Sequence, residues 1–105
     1  MKSNFKRPFS DFVKKQTAPI QLAIQDEVDE ICIDYSIGEQ KSGDLAGFRV
    51  HKFKVKTQLY LIAYRPPTDA EIETGKGEIE ILVIDFFKVG PHENFYAELK
   101  KYLKS

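Results

Sequence analysis

Apolar residues along this chain recur with two different periods, and the switch between them divides it. Ile20, Ile24, Val28, Ile31 and Tyr35 are spaced by four and three, the one-sided stripe of an amphipathic helix running from about Ala18 to Asp34. Thr17 supplies an N-cap and Pro19 is tolerated in the first turn. Gln21, Gln25, Asp26, Asp29 and Glu30 make the solvated face. Ahead of it, Pro8 opens a short helix ending at Lys15, with Phe9, Phe12 and Val13 on one side. Residues 1–7 are a frayed start or a short first strand.

After Ile37-Gly38 the helical period stops, and residues 36–47, with Gly38, Gly43 and Gly47, read as a loop tied down by Leu45. From Phe48 the period becomes two. Phe53 and Val55 face one side of a strand, and Lys52, Lys54 and Lys56 the other. Phe48 and Val50 share the parity of the lysines, which calls for a bulge near His51, a strong twist, or burial of both faces at the strand start. Lys56-Thr57-Gln58 makes a tight turn into Leu59–Tyr64, apolar on both faces and therefore a central, covered strand. Pro66-Pro67 ends it. Residues 66–78 read as a mobile connection or an extended hairpin tip, and Ile79–Phe87 as a second central strand carrying an unusual Asp85, which calls for a basic neighbour or a strand end. A final helix starts at Gly90-Pro91 and packs through Phe95, Leu99 and Tyr102. This order predicts an α+β fold: two N-terminal helices, an antiparallel sheet of three to four strands, and a C-terminal helix, all in a single domain over 1–105.

Composition narrows the class. Basic and acidic residues each number 16, so the chain is not a bulk nucleic-acid binder by net charge, and its basic residues matter through their placement. Lys41, Arg49, Lys52, Lys54 and Lys56 face a single acid, Asp44, over residues 41–56, whereas residues 26–34 hold Asp26, Glu27, Asp29, Glu30 and Asp34 and no base. One cysteine, Cys32, excludes an internal disulfide framework and fits a reducing compartment. No apolar run long enough to span a membrane and no signal-like start is present, and the protein is read as cytoplasmic with no membrane partner.

The residues that carry candidate chemistry lie late in this order. Lys52, Lys54 and Lys56 present three ammonium groups that hold phosphates or stabilise charge on a phosphate under attack. His92 exchanges protons near neutral pH, and Tyr96, four residues on, shares its face of the final helix. Arg49 and His51 have the opposite parity to the lysines, and Arg65 stands at a strand end. The plain alternatives are a solvated strand edge for the lysines and a half-buried tyrosine beside a helix-start histidine. His51, His92 and the distant Cys32 form no recognised metal pattern, and no phosphate-loop glycine motif exists.

The stretch Gly43–Arg65, GDLAGFRVHKFKVKTQLYLIAYR, followed by VGPHENFYAELKKYL, resembles the RelE/ParE superfamily of bacterial type II toxin–antitoxin toxins. The specific signals are Gly43-Asp44-Leu45 before the first long strand, the Lys52-Phe53-Lys54 alternation, and His92–Tyr96. The resemblance implies a small toxin neutralised by a cognate antitoxin. In the RelE branch it implies ribosome-dependent cleavage of mRNA with no metal or other cofactor, through attack of a 2′-hydroxyl on the adjacent phosphate. It assigns catalytic positions to Lys52, Lys54, His92 and Tyr96, and Arg49, Lys56 and Arg65 are the companion substrate-binding candidates. The arginine common at the start of the second hairpin strand in that branch is absent, the sequence reading Leu59-Tyr60. The ParE branch shares the scaffold and poisons DNA gyrase by protein binding, and a non-catalytic RNA-binding or interaction module is a further alternative.

Overall fold

A computed structural model describes residues 1–75 and 82–105. Its strands are β1 (Lys2–Phe5), β2 (Glu39–Gln40), β3 (Arg49–Val55), β4 (Gln58–Arg65) and β5 (Val83–Pro91). Its helices are α1 (Arg7–Lys14), α2 (Ala18–Ile33), α3 (Asp69–Thr74) and α4 (Phe95–Lys104). The sheet order is β1-β5-β4-β3-β2. Neighbours pair antiparallel except β1 and β5, which run parallel. The α+β class and the order of α1, α2, the three long strands and α4 are as the periodicities predict. The sheet is wider than expected, because β1 and the two-residue β2 extend its two edges.

β4 lies in the middle and explains its own sequence. Ile62 and Tyr64 join Phe9 of α1 and Ile24, Val28 and Ile31 of α2 in one core cluster, with Ile84, Phe86 and Val89 of β5. Leu61 and Ala63 point the other way, into a second cluster with Val50, Phe87, and Phe95 and Leu99 of α4. A strand covered on both sides loses the alternation of a half-solvated one. The resulting layers are α1 and α2, the sheet, then α4. Between Ala63 and Tyr64 the pairing to β5 jumps from Lys88 to Phe86, so Phe87 is an extra residue in that strand. The bulge shifts the phase of β5, so that Phe86 and Val89, three residues apart, enter the same cluster while Phe87 enters the other.

Several expectations need correction. No irregularity occurs near His51, since β3 pairs with β4 without a break from Arg49–Tyr64 to Val55–Gln58. The phase problem is solved by burial at the strand start, where α4 covers Val50 but the lysines beyond it on the same side are exposed. Residues 66–75 are not simply a connection: Asp69–Thr74 within them form α3, opened by a capping box between Thr68 and Glu71. That signal, Thr68-Asp69-Ala70-Glu71, stands in the sequence. The expected strand start at Ile79–Ile81 lies outside the described residues, and β5 continues past Phe87 through Gly90-Pro91. Pro91 therefore ends a strand and does not start α4, whose N-cap is Asn94 at φ 61°. In α4, Tyr102 is exposed and Leu103 packs against the second cluster in its place. No helix among the described residues is long and apolar enough to cross a membrane.

Candidate functional site

Strand alternation puts Val50, Lys52 and Lys54 on the α4 side of the sheet. Val50 is buried beneath α4, while Lys52 and Lys54 are exposed. Lys52 stands opposite Leu61 and Lys54 opposite Leu59. The two cations thus continue, in solvent, the row that α4 covers at its other end. Lys56 is exposed at the hairpin turn with φ 56°, which leaves it past the last paired residue of β3.

Tyr96, in the first turn of α4, packs against the second cluster on this same side, its ring edge-on to Phe95 with centroids 5.5 Å apart. Helix placement follows from the apolar stripe: Phe95 and Leu99 are both fully buried, and Tyr96, about 100° round the helix from Phe95, comes to the border of the core. His92 is exposed and precedes the helix, so the helix-face pairing with Tyr96 expected from the spacing does not form. The last β4–β5 couple is Tyr60–Pro91, which puts His92 one step beyond it, across Leu59 from Lys54. Two strand spacings place the backbones of His92 and Lys54 on the order of 10 Å apart.

Two residues absent from the sequence candidates join this group. β2 pairs Glu39 with Val50, and the amide of Lys41 donates to the carbonyl of Phe48 at 2.9 Å, pinning the segment beside β3. The Lys41 ammonium lies 5.3 Å from the centre of the Tyr96 ring and hydrogen-bonds Glu39 Oε1 at 2.5 Å. The Glu39 carboxylate raises the Lys41 pKa above its ordinary 10.5, and Lys41 in turn holds Glu39 below its ordinary 4.5, with Lys52 adding to that attraction. Both groups are therefore ionised at neutral pH. Their separation by two residues was the sequence signal, but residues 36–47 read as a loop and loops carry no facing rule.

The remaining candidates are elsewhere. Arg49 is on the α2 side, where its guanidinium donates to the carbonyl of Gly38 at 2.8 Å and to that of Ser36 at 3.4 Å. Arg65 is on the α4 side but six residues along β4 from Leu59, about 20 Å away. It pairs there with Asp85 at 3.0 Å, and Asn4 donates to the same carboxylate at 2.8 Å. Asp85 thus has the basic neighbour that its place in a strand required. His51 faces α2 and bonds Glu27 Oε1 through Nε2 at 2.7 Å. Glu27, Glu30 and His51 bring one ligand atom each within 4.8 Å of one another, on the side of the sheet away from the lysines.

A family model described as the ParE-like toxin of type II bacterial toxin–antitoxin systems matches residues 4–100. Among solved structures, the fold is similar to the intact E. coli RelBE toxin–antitoxin complex, with a TM-score of 0.56 and 14% identity over 88% of this chain and 96% of that one. It is likewise similar to the isolated E. coli RelE toxin, with a TM-score of 0.54 and 14% identity over 97% of each chain. At that identity the likeness is one of fold. No curated protein sequence matches the chain.

Proposed function

Because the chain belongs to the ParE-like toxin family of type II bacterial toxin–antitoxin systems, we propose that it arrests growth by cutting messenger RNA on the ribosome, in the cytoplasm, and that a cognate antitoxin restrains it. The observation that carries this reading is the exposed Lys52–Lys54 pair on the same sheet face as Tyr96. Two ammonium groups and a ring on one face offer a phosphate its counter-charge and a base its stacking surface.

In this mechanism the RNA 2′-hydroxyl attacks the adjacent phosphorus and the 5′-oxygen leaves, giving a cyclic phosphate and a free 5′-hydroxyl. Lys52 and Lys54 stabilise the extra charge on the phosphoryl oxygens as the bond forms. His92 exchanges the proton that the reaction moves between the attacking and leaving oxygens. Tyr96 holds the substrate against α4. Lys56, at the turn, adds to the attraction for the RNA backbone. Arg49 and Arg65, already engaged by protein carbonyls and by Asp85, contribute to the scaffold more than to the substrate.

Induced expression followed by mapping of mRNA ends, with and without translation, tests the reading. Ribosome-dependent cuts at defined codon positions are expected. Lys54→Ala and His92→Ala should each lower cleavage by about 100-fold while leaving the melting curve unchanged, since both side chains are exposed. Retained cleavage in both variants would remove their assigned roles. The family description itself, which names ParE, favours a second reading: inhibition of DNA gyrase by protein binding. That reading expects intact messages with DNA-damage signalling.

A further inference from the structure

Lys41 is held in place twice, by its backbone bond to Phe48 and by its side-chain contact with the Tyr96 ring. Its side chain is only 20% exposed, whereas that of Glu39, its partner, is 65% exposed. A fixed cation is thus capped by a carboxylate that stands in solvent. Glu39 also lies within the field of Lys52. An anionic group bonded to one cation of this face is therefore already drawn toward a second. We propose that Lys41 is a further phosphate-binding residue of the Lys52–Lys54 face, and that Glu39 occupies its place until an RNA phosphate displaces the carboxylate.

This proposal rests on the RNA-cleavage reading. Charge chemistry supports the exchange. Glu39, on the solvent side of the pair, is 65% exposed, so swapping its carboxylate for another anion costs little. A phosphate brings two exposed oxygens to the cations where Glu39 brings one bonded oxygen to Lys41. The Lys41 ammonium already lies over the Tyr96 ring, so it does not have to be repositioned. A base stacked on the half-buried Tyr96 would bring its flanking phosphate toward the same ammonium.

The test is binding of a short 2′-O-methyl oligoribonucleotide, which lacks the attacking hydroxyl, by fluorescence anisotropy over a range of salt concentrations. Lys41→Met keeps the stem and removes the charge. It should weaken binding and reduce the slope of log affinity against log salt by about 0.7, the share of one phosphate on a single strand. Lys41→Arg should restore the slope. Glu39→Gln should tighten binding about two- to five-fold, and the Glu39→Gln, Lys41→Met double variant should behave as Lys41→Met alone. If Lys41→Met keeps the wild-type slope while Lys52→Ala and Lys54→Ala lower it, the Lys41 proposal is overturned and the lysine face stands. If Lys41→Met lowers the slope but Glu39→Gln binds as wild type, the displacement half is overturned. If none of the three lysine variants changes the slope, the RNA reading of the face is wrong and this proposal goes with it.

Discussion

Removing one oxygen from Tyr64 should cost about 2 kcal/mol, more than its size suggests. Tyr64 is fully buried in the middle strand. Its hydroxyl donates to the carbonyl of Tyr35 and accepts from the amide of Gly38 at 3.0 Å. It thus joins β4 to the turn after α2, immediately ahead of Glu39 and Lys41. Gly38 is part of the same fit, since a Cβ there would come within 2.5 Å of the Tyr64 oxygen. In Tyr64→Phe the ring still fills its site, so no cavity is created. What remains is a buried amide and a carbonyl without their partner, a penalty of about 1–3 kcal/mol for an orphaned group, partly offset by burying a less polar ring. At about 4–8 °C per kcal/mol for a domain near this size, melting should fall by about 8–16 °C.

The measurement is urea and thermal unfolding followed by circular dichroism. The midpoint should move with an unchanged denaturant slope. A second signature comes from alkali. Burial raises the Tyr64 pKa above its ordinary 10.0, with the Gly38 amide opposing. The folded protein therefore keeps a proton that the unfolded chain releases. This contribution is fully present below about pH 10 and is lost as pH rises through the folded value. Tyr64→Phe should lack that alkaline loss. A stability change under about 0.5 kcal/mol would refute the reasoning, because it would mean that the freed amide finds another partner.

Leu99→Ala should destabilise the fold by about 2–5 kcal/mol, because Leu99 is wholly buried and anchors α4 to the sheet; a loss under about 1 kcal/mol in denaturant titration would show that α4 docks without it. Asp85→Asn should cost about 1 kcal/mol at neutral pH, since its Arg65 partner is half exposed. Burial alone would raise the Asp85 carboxyl, but hydrogen bonds from Asn4 and Arg65 outweigh it and hold the pKa below its ordinary 3.8. The stabilisation is present above about pH 3.8 and is lost as pH falls through the folded value. The gap between wild type and Asp85→Asn should therefore close in acid, and a gap that persists to about pH 1 would contradict the assignment.

Local patterns in this chain speak for elements, and they do so where burial is one-sided or complete. The stripe Ile20, Ile24, Val28 and Ile31 has one physical solution, a helix laid on a core, and α2 is that helix. Leu59–Tyr64 lacks any polar face, and such a strand has to be central. The alternation at Lys52 and Lys54 likewise determines that they share a side. Where local signals compete, long-range contacts decide. Pro91 is compatible with a strand end or a helix start, and its pairing with Tyr60 selects the strand, moving His92 off the helix. The parallel addition of β1 beside β5 rests on partners 81 residues apart, such as Asn4 and Asp85, which no local period encodes. Glu39 and Lys41 are polar residues in a glycine-containing loop, and only the docking of β2 on β3 turns them toward Tyr96 and Lys52. Side-chain period determines which residues face together within one element; which elements face each other is set by a cooperative fit of both sheet faces that exists only once the chain has closed on itself.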